Sequence, residues 1–429
     1  MLEIYFETYG CSANYNSTEI MQGLVKQAGL NVTSNANFAD LIVINSCIVK
    51  CPTEEKIRRR VQDLLKAGRK VILAGCMPRI KQGNLKQENL FLLDTSHIKD
   101  IINLIHDIQN KSYSAEKYLK PRNEVKLSLP KLPKERVIGI TQISEGCLEK
   151  CNYCIVRLAK GRLFSYPKEK IIKSVKNDIA SGCKEIWLTS QDNANYGSDN
   201  KKHLLPELLR EILELKGSFY VRVGMMNPNN ILEILQELIE IYKHKKMFKF
   251  LHIPVQSGSN RILERMERSY AKEDFLKIIK EFKRNIPEIT ISTDIIVGFP
   301  GESDADFRES LSLIKEVRPE MLNISKFAPR PFTKAAKMKQ LPPEVLRKRA
   351  KELSKLHLEI CKENQKNWAG WKGKVLVDQK GPVYSGTYLA RSPEYKLFAV
   401  HSREKILGKI VKVKVKKIMP HYLISEVIE

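Results

Sequence analysis

The sequence predicts an α/β chain in three parts. An open parallel α/β sheet domain occupies residues 1–110, a partial barrel of six β/α units residues 135–363, and a small β-barrel residues 364–429. Three observations carry this. Up to residue 110, and again from 135, short apolar runs alternate with stretches of helical period, the signature of parallel strands covered by helices. The second region holds six such units, too few to close an eight-stranded barrel but enough for a partial one. Beyond 366 the period drops to two, with turn residues between short runs.

In the first part the strands are "LEIYFETYG", "DLIVINS", "KVILAG" and "NLFLLDT". Helices are expected from Ser17 to Ala28, over "TEEKIRRRVQDLLKAG" with Thr53 as N-cap after Pro52, and over "SHIKDIINLIHDI". Residues 111–134, "KSYSAEKYLKPRNEVKLSLPKLPK", lose periodicity and gain Pro and Lys, and read as a linker. The barrel strands are "VIGITQIS", "EIWLTS", "FYVRVG", "KFLHIPVQ", "ITISTDIIVGF" and "EMLNISKF". A long basic helix, "PPEVLRKRAKELSKLHLEICKENQKNW", leads into "GKVLVDQKG", "YKLFAVHS" and "KIVKVKVKKIM".

With 429 residues and 42% apolar content the chain suits two or three folded domains. No apolar run approaches the roughly 18–20 residues that span a bilayer. The opening "MLEIYFETYG" carries Glu3 and Glu7 where a signal peptide is basic and then apolar. A cytoplasmic chain without a membrane partner is the expectation. A net charge of +25 points to nucleic acid, because clustered Lys and Arg release counterions from phosphates.

Nine cysteines in a reducing compartment are not a disulfide framework. Cys11, Cys47 and Cys76 each follow an apolar strand, at the edge where open α/β sheets bind ligands. Burial as small hydrophobes is the alternative for them. Cys147, Cys151 and Cys154 fall on one loop, "SEGCLEKCNYC", after the first barrel strand. A closed zinc site would need a fourth ligand, and the next cysteine is the solitary Cys183. Three thiolates without a fourth suit an iron–sulfur cluster with one open iron. Cys51, Cys183 and Cys361 match no pattern and read as small, partly buried residues, although Cys51, four residues from Cys47, could be a spare ligand.

C-x3-C-x2-C on the first loop of a partial β/α barrel resembles the radical S-adenosylmethionine (SAM) enzymes. That resemblance implies that Cys147, Cys151 and Cys154 hold a [4Fe–4S] cluster whose open iron takes SAM. "TYGCSANYNS", "INSCIV" and "AGCMPR" look like the N-terminal domain of methylthiotransferases, implying a second [4Fe–4S] cluster on Cys11, Cys47 and Cys76. "LTSQDNANYG", "HIPVQSGSNRIL", "MERSY" and "STDIIVGFPGES" look like their radical SAM core, and the tail looks like a TRAM domain. "CIVRLAKGRLFSYP", "CKEIWLTSQDNANYG" and "VRVGMMNPNNILEIL" resemble the archaeal and eukaryotic branch acting on threonylcarbamoyladenosine in tRNA. Other branches act on isopentenyladenosine in tRNA or on a ribosomal-protein aspartate. The eukaryotic form carries a C-terminal anchor, and "HYLISEVIE" resembles the archaeal form without one.

The implied reaction places a methylthio group on C2 of the modified adenine at tRNA position 37, next to the anticodon. One SAM methylates a sulfur at the N-terminal cluster, and a second is cleaved reductively to a 5′-deoxyadenosyl radical. An electron donor of ferredoxin or flavodoxin type and a source of sulfide for cluster repair are implied, for a monomeric enzyme. Tyr153, Gln191, Asp192, Gln256, Ser257, Asp294, Val297 and Gly298, at strand ends or in turns, are the expected SAM contacts. In the tail, Lys409, Lys412, Lys414, Lys416 and Lys417 are the expected RNA contacts, with Trp368, Trp371, Tyr384 and Tyr388 for stacking. Arg347, Lys348, Arg349 and Lys351 either extend that surface or solvate a helix. An iron–sulfur or zinc RNA-binding module without turnover is the reading of another class.

Overall fold

A computed structural model describes residues 2–81, 87–133, 137–381 and 386–428. Its first layer is a parallel sheet of β1 (Glu3–Thr8), β2 (Asn31–Thr33), β3 (Leu41–Ser46), β4 (Lys70–Gly75) and β5 (Leu90–Asp94), in the order β2-β1-β3-β4-β5. The short edge strand β2 adds to the four strands expected. Central β3 is buried along its whole length, as the unbroken "LIVIN" run requires of a strand covered on both faces. The helix after β1 runs Ser12–Gln27, five residues earlier than its apolar period announces. The polar residues of "SANYNS" mislead there, because Asn14 and Asn16 are buried inward. The next helix, Cys51–Lys66, is N-capped by Lys50 rather than Thr53, with Pro52 in the first turn where its missing N–H costs nothing.

The barrel follows with β6 (Ile138–Gln142), β7 (Ser144–Glu145), β8 (Phe164–Ser165), β9 (Glu185–Thr189), β10 (Tyr220–Val223), β11 (Phe250–His252), β12 (Thr290–Val297) and β13 (Met321–Lys326). Six of these are parallel, in two sheets ordered β10-β9-β6 and β11-β12-β13. A parallel bridge from Val221 to Met247 joins the two sheets. The remaining pair, β7 and β8, forms a two-stranded clamp at the base of residues 146–163, which hold the second cysteine set. The tail is a closed barrel of β14 (Lys372–Lys380), β15 (Thr387–Arg391), β16 (Leu397–His401), β17 (Ile410–Ile418) and β18 (Leu423–Val427), ordered β14-β15-β16-β18-β17. Register shifts at Val377/Gln379 and Val415/Lys417 bend the two long strands toward closure.

The three parts meet at opposite ends of the central strands. At the carboxyl ends, Ser12 bonds Thr189 (2.6 Å), Glu54 pairs with Arg330, and Thr95 bonds Glu145 (3.0 Å). At the amino ends the small barrel docks. Lys249 N–H donates to the Pro393 carbonyl (2.8 Å), Thr290 donates to that of Glu394 (2.5 Å), and Arg222 is stacked among Trp187, Phe250 and Tyr395. Residues 111–133 are not a bare connection. They carry a helix, Ala115–Leu119, and bury Tyr118 and Lys126 completely against the neighbouring parts. Among the described residues no helix is long and apolar enough to cross a membrane.

Candidate active site

Parallel β/α units place their loops at one sheet edge, and here two such edges face each other. Cys11, Cys47 and Cys76 follow β1, β3 and β4, three adjacent strands at the centre of the first sheet. Cys47 and Cys76 are buried, whereas Cys11 is exposed and N-caps the helix Ser12–Gln27. Gly10 makes the turn before Cys11 with φ +107°, and a Cβ there would lie 2.7 Å from that of Cys47. Asn14 ties the loops together by donating to the carbonyls of Tyr9 (2.8 Å) and Ser46 (2.9 Å). Cys76 N–H donates to the Ser46 carbonyl (3.0 Å).

The second set lies on the loop closed by β7 and β8. Gly146, at φ +82°, faces the Arg162 carbonyl so closely that a side chain is excluded. Its N–H donates to Gln191 Oε1 (2.7 Å), so the end of β9 holds the entry to Cys147. Arg268 Nη1 donates to Cys151 Sγ (3.0 Å) and is fixed by Asn227 Oδ1 (2.7 Å) and the Tyr270 hydroxyl (3.0 Å). Asn227 in turn donates to Asp192 Oδ2 (2.7 Å). Asp192 is buried and also accepts from Asn230, Asn195 and the N–H groups of Ala194 and Asn227. Its carboxylate therefore organises the donors around the cysteine loop.

The other expected contacts lie on the same rim. Tyr153 packs edge-on to Phe299 (centroids 6.3 Å). Gln256 takes φ +70°, a conformation costly for a side chain and concentrated at functional sites. Ser257 is buried and accepts from Ser259 N–H (3.2 Å). Asp294, against the pull of burial, is held below the ordinary carboxylate range by His252 (3.2 Å) and Asn323 (2.6 Å). Val297 is buried, and Gly298 N–H donates to Glu302 Oε2 (2.7 Å).

Both triplets fit an iron–sulfur cluster by their donor set. Within each, the three thiols lie within electrostatic reach of one another. Burial pushes Cys76 and Cys147 up to about 12 and Cys154 to about 11, so the free thiols stay protonated and ligation must displace protons. Among the described residues no group of three or more His, Cys, Asp or Glu closes around a single metal ion. The buried Ser190 hydroxyl beside Gln191 has no hydrogen-bond partner among the described residues.

In the tail, β14 and β17 set Lys372 opposite Lys414 and Lys374 opposite Lys412. Like charges directly across a ladder repel, and on its other side Lys414 stands opposite Glu426 of β18. Lys372 and Lys374 were not among the expected contacts, because strand pairing is invisible in the sequence. Lys409, Lys412 and Lys417 are exposed and Lys414 is half-buried, whereas Lys416 pairs with Glu426 (2.7 Å). Trp368 and Trp371 are committed to packing on Phe398, and Tyr388 is half-buried against the same core. Tyr384 lies outside the described residues. Arg349 is no surface group: it is buried in pairs with Glu302 (2.6 Å) and Asp304 (2.7 Å), while Arg347, Lys348 and Lys351 are exposed. Arg268, Lys126, Glu145 and Lys160 also escaped the sequence reading, since each acts through tertiary contacts.

Three family models match: the Radical SAM superfamily over residues 141–314, Uncharacterized protein family UPF0004 over 3–93, and the TRAM domain over 372–428. The chain is 42% identical over 429 residues to the probable threonylcarbamoyladenosine tRNA methylthiotransferase of Pyrococcus horikoshii, covering 100% of both. It is 36% identical to the human threonylcarbamoyladenosine tRNA methylthiotransferase, over 98% of this chain and 73% of that one. Among solved structures it is similar to the radical SAM methyltransferase TsrM of Kitasatospora setae (TM-score 0.56, 13% identity, 78% of this chain and 77% of that). It is also similar to the cobalamin-dependent radical SAM enzyme OxsB (TM-score 0.55, 13% identity, 83% of this chain and 55% of that). At such identity these two structures speak for the fold alone.

Proposed function

The chain belongs to the threonylcarbamoyladenosine tRNA methylthiotransferases, and from that premise we propose how its residues divide the work. It is a radical SAM enzyme that modifies threonylcarbamoyladenosine in tRNA, and a [4Fe–4S] cluster and SAM belong to its domain. We place that cluster on Cys147, Cys151 and Cys154 and a second on Cys11, Cys47 and Cys76. We place the modification at C2 of the adenine at position 37. The observation that carries this reading is the meeting of the two strand-end edges through Ser12–Thr189, Thr95–Glu145 and Glu54–Arg330.

The adenine C2–H bond is beyond acid–base chemistry, so the radical chemistry would be supplied by a cluster on Cys147, Cys151 and Cys154 with SAM bound. The protein binds, orients and excludes water. Gln191 fixes the loop before Cys147 through the Gly146 N–H. The chain Asp192–Asn227–Arg268 presents a permanent cation to Cys151 Sγ. Such a donor orients a ligating sulfur and stabilises added negative charge on it. Tyr153, Gln256, Ser257, Asp294, Val297 and Gly298 form the rim on which we place SAM. Turnover draws on an external electron donor of ferredoxin or flavodoxin type and on sulfide to restore the N-terminal site. We take the enzyme to act as a cytoplasmic monomer.

tRNA is held by the TRAM barrel, and we assign Lys409, Lys412, Lys414 and Lys417, with Lys372 and Lys374, to its phosphates. This barrel docks at the amino ends of the central strands and the cysteines lie at the carboxyl ends, roughly 25 Å apart for a strand as long as β12. A polynucleotide spans that distance. Replacing Lys412 and Lys414 with alanine is expected to weaken tRNA binding whatever the sequence. Each lost phosphate contact should lower the slope of log K against log salt by about 0.7–0.9. Binding measured over a salt series checks this, and an unchanged slope removes the assignment.

The activity itself is tested by nucleoside mass spectrometry on tRNA from a host that makes threonylcarbamoyladenosine but not its methylthio derivative. The gene should add a species in which methylthio replaces hydrogen. The same mass increment on isopentenyladenosine would overturn the substrate, and no new nucleoside would overturn the activity.

A further inference from the structure

A fully buried charge network lies between the two cysteine sites, with contributions from all three neighbouring segments. Lys126 of the connecting segment bonds Glu145 Oε2 (2.7 Å) and Thr95 Oγ1 (3.2 Å). Lys160, at the end of the helix Val156–Lys160, bonds Glu145 Oε1 (2.9 Å) and Thr95 Oγ1 (2.7 Å). Thr95 closes the ring by donating to Glu145 (3.0 Å). Two ammonium groups thus share one carboxylate. The other buried carboxylate close by, Glu124, is within electrostatic reach of Lys126 and shares Arg122 (2.7 Å) with Asp100 (2.7 Å). The buried Arg79–Asp94 pair (2.5 Å) is neutral in itself.

With Glu124 answering Lys126, the buried ammonium of Lys160 shares Glu145 and is free to serve a further anion. Its position identifies that anion. Ile155 and Ala159, on the Lys160 helix, pack in one apolar cluster with Cys76 and Met77. Cys76 follows β4 and Thr95 follows the neighbouring β5 in register, Gly75 opposite Asp94, so the Thr95 hydroxyl that accepts from Lys160 (2.7 Å) stands at the same edge as Cys76. Against the pull of burial, Glu145 keeps Lys160 charged above the usual lysine range. The anion it faces is supplied when the cysteines ligate as thiolates.

We propose that Lys160 is a positioning residue that the barrel lends to the other domain, its buried ammonium being the counter-charge of the anionic iron–sulfur site on Cys11, Cys47 and Cys76. The inference rests on the reading that this triplet holds a cluster. It assigns to the network two tasks: Thr95, Glu145 and Lys126 fix the ammonium, and the ammonium sets the electrostatics of a site its own domain does not contain. A cation near a cluster stabilises the reduced form.

The test uses the full chain with Cys147, Cys151 and Cys154 replaced by alanine, so that only the N-terminal site loads iron and sulfide. Redox titration followed by electron paramagnetic resonance reads its midpoint potential. Lys160→Met should shift the potential negative, lowering the reduced-to-oxidised ratio at a fixed potential by about tenfold, which is 59 mV for one electron. Lys160→Arg should retain the parent value. Glu145→Gln, which removes the carboxylate that neutralises Lys160, should shift it the other way and serves if the Met variant does not fold. An unchanged potential in Lys160→Met, or an equal shift in Lys160→Arg, would overturn the proposal while leaving the cluster in place. No iron uptake in the parent chain would instead overturn the cluster reading, and the proposal with it.

Discussion

Cys151→Ala is expected to abolish both SAM cleavage and methylthio transfer, each by more than about a thousandfold. Cys76→Ala should abolish transfer alone. The contrast follows from where the two residues stand. Cys151 lies on the barrel loop among Cys147, Cys154 and Arg268, where the rim residues of β9, β11 and β12 converge. Cys76 ends β4 in a different sheet, with its N–H on the Ser46 carbonyl and its side chain in the first domain's core. A chain that has lost Cys76 keeps the barrel loop, its Gln191 anchor and its Arg268 donor. Anaerobic assay with reductant checks both halves: 5′-deoxyadenosine by chromatography and the modified nucleoside by mass spectrometry. Loss of 5′-deoxyadenosine in Cys76→Ala would contradict the division of labour. Retention of it in Cys151→Ala would contradict the assignment of the barrel loop.

The second large effect is structural. Arg349→Met is expected to cost about 3–5 kcal/mol, because it strands the buried Glu302 carboxylate. Glu302 also accepts the Gly298 N–H, so the turn on the SAM-facing rim depends on this pair. Burial already holds the Glu302 carboxyl above its ordinary range even with Arg349 beside it. Such a group keeps its proton better in the folded state than in the unfolded one. Stability therefore falls as pH rises from the unfolded carboxyl value, about 4.3, toward the raised folded one. Removing Arg349 raises the folded value further, so the loss should be small near pH 4 and largest at neutral pH. Denaturant titrations of the apo chain at both pH values measure it. Adding Glu302→Gln should recover part of the loss at neutral pH and little at acid pH, and equal losses at both would rule out the carboxylate as the cause.

The placement of the cysteines was legible because chain topology fixes it. In parallel β/α units, residues following strands share one edge, so Cys11, Cys47 and Cys76 had to converge once "LEIYFETYG", "DLIVINS" and "KVILAG" were strands. Periodicity gave the six parallel barrel strands and a small β-barrel tail, but only three of its five strands, leaving out the short Thr387–Arg391 and Leu423–Val427. Side-chain direction in irregular segments was not legible. The helix from Ser12 opens with buried Asn14 and Asn16, which bind backbone and do not declare an apolar face. Residues 111–133 lack a period because their buried members, Tyr118 and Lys126, answer to neighbours in other segments. Arg349 reads as one more base in "RKRAK", and only the position of Glu302 turns it inward. Lys372 and Lys374 gain their meaning from pairing with Lys414 and Lys412. Arg268 stood in a quoted motif, "MERSY", yet its bond to Cys151 spans more than a hundred residues of sequence.

The claim on which the rest depends is that two facing triplets each hold a cluster. Iron content after anaerobic reconstitution tests it most directly. The unaltered chain should bind about eight irons. The chain lacking Cys147, Cys151 and Cys154, and separately the chain lacking Cys11, Cys47 and Cys76, should each bind about four. About four irons in the unaltered chain, undiminished when Cys11, Cys47 and Cys76 are replaced, would contradict it.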